Sequence, residues 1–143
     1  MASLCEAWAA ATTYREGIHR VNLLFDRATD AIRVTSPYSE SGLTVTVLQP
    51  GPVFVRIPSW ADREAMRPDG VVWHLCGEWL CIPAPVVGRT ITISLPLPVR
   101  TIAVDSYIHN LRARLKGDIV LAMDNEGTDF TFFLPMEEAD SEL

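Results

Sequence analysis

Residues 89–95, RTITISL, put Ile91, Ile93 and Leu95 on one side of an extended chain and Thr90, Thr92 and Ser94 on the other. A period of two fits a strand and no helix, because only an extended backbone points successive side chains in opposite directions. A strand with one dry face and one wet face has to bury the dry one against a second apolar layer. The same period recurs in GLTVTVLQ (42–49), where Leu43, Val45 and Val47 alternate with Thr44 and Thr46. It recurs again in FVRIPSW (54–60), where Val55 and Ile57 are expected to face inward and Arg56 to share the outward side with Phe54. Pro58 then ends that strand by denying it a ladder donor, and Trp60 is expected to fold back as a plug at the sheet edge.

Shorter segments complete the series. RVNLLFD (20–26) and AIRVTS (31–36) read as strands joined at Ala28-Thr29-Asp30, and Pro50-Gly51-Pro52 predicts a hairpin between 42–49 and the strand containing Arg56. VVWHLC (71–76) and EWLCIPA (78–84) flank Gly77 as a further hairpin. VRTIAVD (99–105), NLRARLK (110–116), DIVLAMD (118–124) and DFTFFLP (129–135) continue at the spacing of a sandwich. Only the Ala-rich stretch 3–14 has helical spacing, with Leu4, Ala7, Trp8 and Ala11 on one side. One such helix cannot cover so many strands, so the expectation is an all-β fold. It is an antiparallel, jelly-roll-like β-sandwich over 17–136, after a short helical segment at 1–16 and before an acidic tail at 137–143.

A chain of 143 residues has room for a core without disulfide staples. Its net charge of −6 argues against nucleic acid or an anionic membrane as the main partner, since binding phosphates takes clustered Lys and Arg. Arg112, Arg114 and Lys116 are the local exception, and their alternation with Leu111, Ala113 and Leu115 reads as the solvated face of a strand. No apolar run approaches the ~20 residues needed to span a bilayer, and MASLCEAWAAATTYREG lacks the basic start of a signal peptide. Cys5, Cys76 and Cys81 are odd in number and without CxxC spacing, which predicts neither a disulfide framework nor a zinc site, and a reducing, cytoplasmic setting.

No catalytic or metal motif emerges from the residues. The run from Asp124 to Asp129 resembles a calcium loop only superficially: Gly127 comes fourth and position 135 is Pro135, whereas the EF-hand needs glycine sixth and glutamate twelfth. A hairpin turn with Gly127 at positive φ is the better reading. His19, His74 and His109 belong to no metal-ligand spacing, and Cys76 and Cys81 are close enough in sequence to face one another across a turn. Asp62 and Glu64 are the one carboxylate pair beside a tryptophan that a small glycosidase would use. Trp60, Trp73 and Trp79 are the candidate sugar-stacking residues, because an indole face packs well against the C–H face of a sugar.

The order VNL (21–23), RIPSW (56–60) and KGDIV (116–120), with GEWLCI between the last two, resembles the region that follows the catalytic barrel in the β-L-arabinofuranosidase-like glycoside hydrolases of family 127. That resemblance covers nearly the whole chain and implies a β-sandwich that packs against an (α/α) barrel. It also implies that the family's zinc-held cysteine nucleophile lies elsewhere: matching Trp8 and Val21 puts the family's Cys-Cys pair upstream of Met1, and no second cysteine adjoins Cys5. On this resemblance the chain is expected to be a noncatalytic accessory domain without cofactor, which self-associates or docks to a catalytic barrel. A carbohydrate-binding module is the alternative, and a small glycosidase using Asp62 and Glu64 a third.

Overall fold

The computed structural model describes residues 2–104 and 111–124. His109, the turn read at 125–129, the strand expected at 129–135 and the acidic tail lie outside the described residues. The chain divides into two compact units, Met1–Pro96 and Leu97–Leu143, so the division falls inside the stretch read from the sequence as one sandwich.

The first unit opens with helix α1 (Ala2–Ala9), which ends where Ala10 N donates to the Glu6 carbonyl. The helix is shorter than its spacing suggested. Thr12, Thr13 and Tyr14 are strand formers, and they build β1 (Thr12–Arg15), which pairs antiparallel with β2 (Ile18–Val21). Glu16 and Gly17 turn the chain with φ of 53° and 73°, the two positive values that a type I′ hairpin requires. Ala11, fully buried, fixes the junction by accepting hydrogen bonds from both Asn22 N and Leu23 N. For the same reason the strand expected over 20–26 stops at Val21, and residues 22–26 carry the chain to the other sheet.

There β3 (Arg27–Ala28), β4 (Ile32–Thr35) and β5 (Leu43–Val47) run antiparallel to their neighbours. The Pro50-Gly51-Pro52 segment does not make the hairpin expected of it. It is a crossover: β6 (Val53–Arg56) leaves β5 and pairs parallel with β2, Val21 lying opposite Val55. Three hydrogen bonds hold the crossover against the first hairpin, from His19 N to the Pro52 carbonyl at 2.9 Å, between His19 Nε2 and the Gln49 carbonyl at 2.9 Å, and from Tyr14 OH to the Pro50 carbonyl at 3.1 Å. The remaining strands of the unit are β7 (Arg67–Pro68), β8 (His74–Cys76), β9 (Trp79–Ile82) and β10 (Thr90–Ser94). The hairpin predicted around Gly77 is present, with Cys76 opposite Trp79.

Two five-stranded sheets result, ordered β1-β2-β6-β9-β8 and β3-β4-β5-β10-β7. The first contributes Val21, Val53, Val55, Leu80 and Ile82 to one apolar cluster, and the second contributes Ile32, Val34, Leu43, Val45, Val47, Ile91 and Ile93. The fold is therefore the all-β sandwich that the alternation demanded, with the parallel β2·β6 pair as its departure from antiparallel pairing. The strand containing Arg56 alternates as read: Val53 and Val55 are buried, Phe54 is half-buried and Arg56 is exposed.

The second unit contains β11 (Val99–Val104), β12 (Leu111–Lys116) and β13 (Ile119–Met123), joined antiparallel in that order. On β12, Ala113 and Leu115 are buried while Arg112 and Lys116 are exposed. Asp124 Oδ2 accepts from both the backbone N and Nε of Arg112, at 2.9 and 3.0 Å. Those bonds favour the ionised carboxylate and hold its pKa below the usual aspartate value, while raising that of the guanidinium.

Candidate functional site

The outer face of the first sheet carries a set of chemically distinctive side chains. The strand registers set Arg20, Phe54, Cys81 and His74 side by side in one row and Arg56, Trp79 and Cys76 in the next. Leu80 and Ile82 point into the core, so Trp79 must project the other way, beside Phe54. Arg56 Nη2 lies 3.6 Å from a Glu78 carboxylate oxygen, with both side chains more than half exposed. The permanent cation in FVRIPSW is thus a wet-face residue paired across the surface, worth at most about 1 kcal/mol.

The three candidate tryptophans occupy different settings. Trp79 stands on this face. Trp73, in the loop before β8, packs against the core cluster, with the Arg67 guanidinium carbon 5.0 Å from its ring centroid. Trp60 lies half-buried in the loop between β6 and β7, and its Nε1 is buried without a hydrogen-bond partner among the described residues. Asp62 and Glu64, in the same loop, are both exposed, and Asp62 Oδ1 accepts from the Glu64 backbone N at 2.9 Å. That contact is a local turn cap of the kind Asp makes to the backbone two residues on.

Cys76 and Cys81 do share a face, diagonally across the β8·β9 hairpin, as free thiols. Burial, and then the nearby Cys76, push the Cys81 thiol up. Because the thiolate is the reacting species, an exposed cysteine reacts ahead of a buried one with a raised pKa. With a chromogenic disulfide at neutral pH, Cys5 and Cys76 should react rapidly, and Cys81 only slowly until urea is added. Three equal fast rates would contradict this placement. Among the described residues, no three His, Cys, Asp or Glu side chains are placed to hold a metal ion. His19 is fully buried against Tyr14, the rings stacked with centroids 4.4 Å apart, and it belongs to the latch that holds the crossover.

On the opposite side of the sandwich is a groove that the sequence did not announce. It lies where β10 meets β7, has a volume of about 500 Å³, and is lined by Pro37, Gly42, Arg67, Asp69, Thr92 and Ser94 among others. Ser94 lies opposite Arg67, and Asp69 N donates to the Thr92 carbonyl at 2.8 Å, so backbone pairing fixes all four polar residues relative to one another. The sequence signal is weak because β7 is only two residues long and one of them is proline, leaving no period to detect.

No protein-family model matches this chain, and no curated protein matches it either.

Proposed function

We propose that the chain is a noncatalytic β-sandwich accessory domain of a glycoside hydrolase family 127-like protein, acting through packing and interaction. The observation that supports this most is the location of the sequence marks behind the family resemblance. Val21 of VNL and Val55, one residue before RIPSW, are partners in the parallel β2·β6 pair, and both are fully buried. Ile57, inside RIPSW, is also buried. Residues buried in the middle of a sheet serve a framework, and a framework that carries Trp79, Phe54, Arg20 and Arg56 outward offers a surface for a larger partner.

The test is to mix the purified chain with a separately produced family 127 barrel and follow association by light scattering, with nitrophenyl glycosides as the activity probe. The chain alone should show no turnover, and it should bind the barrel with an affinity that Trp79→Ala lowers about tenfold. Turnover by the chain alone, or indifference to the barrel, would refute the reading. A carbohydrate-binding module is the second reading, supported by Trp79 and Phe54 presenting aromatic surface beside guanidinium groups on one sheet face.

A further inference from the structure

We propose that the groove alongside the paired strands β7 and β10 binds a neutral polyhydroxylated ring, such as one sugar unit of a glycan. This rests on the carbohydrate-binding reading and not on the family 127 assignment, and it moves the site from the tryptophans to the other sheet.

The solvent face of the second sheet is a field of hydroxyl groups, and they differ in how they are engaged. Thr35 and Thr44 bond to each other at 2.6 Å, and Thr46 and Thr90 at 2.8 Å, so outside the groove the hydroxyls satisfy one another. Within it, the Thr92 and Ser94 hydroxyls and the Asp69 carboxylate have no partner among the described residues. Arg67 is differently placed. Its Nη1 donates to the Met66 carbonyl at 3.1 Å and its guanidinium lies over Trp73, which holds the planar fork in position while its other N–H groups have no partner among the described residues.

The combination selects a ligand class. Asp69 can only accept, Arg67 can only donate, and the two hydroxyls do either. Hydroxyl groups on adjacent carbons of a sugar ring each donate and accept, which answers all four. An anion would be drawn by Arg67 but repelled by Asp69 and by a chain whose net charge is −6, and a cation would meet the reverse problem at Arg67. A neutral ring meets neither penalty. Pro37 adds apolar surface for the C–H face of such a ring, and the volume is that of a small-ligand site.

The experiment is an amide NMR titration of the full chain with methyl glycosides of arabinose, galactose and glucose, and separately with inorganic phosphate. At least one glycoside should give saturable shifts at residues 67–69 and 92–95. Asp69→Asn should weaken that binding about tenfold and Thr92→Val severalfold. Both residues are exposed, so the variants keep the wild-type spectrum elsewhere. Glycoside shifts confined to Phe54 and Trp79 would overturn the groove while leaving the carbohydrate-binding reading standing. Absence of saturable shifts with every glycoside would overturn both. Tighter binding of phosphate than of any glycoside, or an unchanged titration in Asp69→Asn, would also overturn the proposal.

Discussion

Gly51→Ala should destabilise the first unit by about 3 kcal/mol or more, read as a fall in the urea midpoint at unchanged slope. Gly51 adopts φ of 146°, where a side chain strains the backbone, and a Cβ there would overlap the Gly17 carbonyl oxygen. Neither partner can yield cheaply. Gly17 is fixed by the two-residue turn of the first hairpin, and Gly51 by the hydrogen bonds that Gln49, Pro50 and Pro52 accept from His19 and Tyr14. Gly42→Ala is the matched control. Its φ of 65° is also left-handed, but an added Cβ meets nothing within 4 Å, so the cost should be limited to about 1–2 kcal/mol of backbone strain. Equal losses in the two variants would show that the close approach of the crossover to the hairpin contributes nothing. With a domain stability of about 5–15 kcal/mol to draw on, the Gly51 variant should remain foldable and measurable.

The same crossover shows where the sequence stopped being legible. Alternation identified the faces of the two threonine-rich strands correctly: Leu43, Val45 and Val47, then Ile91 and Ile93, are all buried, with their threonine neighbours on the other side, whereas the longer β11 shows no alternating burial. What alternation cannot convey is which strand lies beside which. Pro-Gly-Pro supplies the same dihedral preferences to a tight hairpin and to a sheet-to-sheet crossover, and only the long-range bonds from His19 and Tyr14 decide between them. At the N-terminus, alanine-rich spacing predicts helix over 3–14, but the helix ends at Ala9 and Thr12–Arg15 pair with β2, a long-range partner that local spacing does not reveal. The candidate site divides along the same line. Trp79 could be assigned to a wet face once Leu80 and Ile82 were dry. Arg67 and Asp69 could not be assigned to a groove, because a two-residue strand inside a long loop leaves no periodic trace.

The sharpest check on the two-faced character of the first sheet is the contrast between Leu80 and Arg56, one row apart on neighbouring strands. Leu80 lies opposite Val55 on one side and Leu75 on the other, fully buried in the cluster shared by both sheets. Leu80→Ala removes apolar contact and leaves a cavity that two packed sheets cannot fully close, so it should cost about 3 kcal/mol in urea denaturation. Arg56 lies opposite Trp79, with its side chain 53% exposed and its ion pair to Glu78 open to water. Arg56→Ala should therefore change stability by no more than about 0.5 kcal/mol, even though the residue sits in the strand beside Leu80. A small loss for Leu80→Ala would mean that the dry face is not packed against the second sheet. A loss for Arg56→Ala as large as that for Leu80→Ala would mean that the face bearing Phe54 and Trp79 is itself buried in the folded protein, and the surface proposed to meet a partner would then already be occupied.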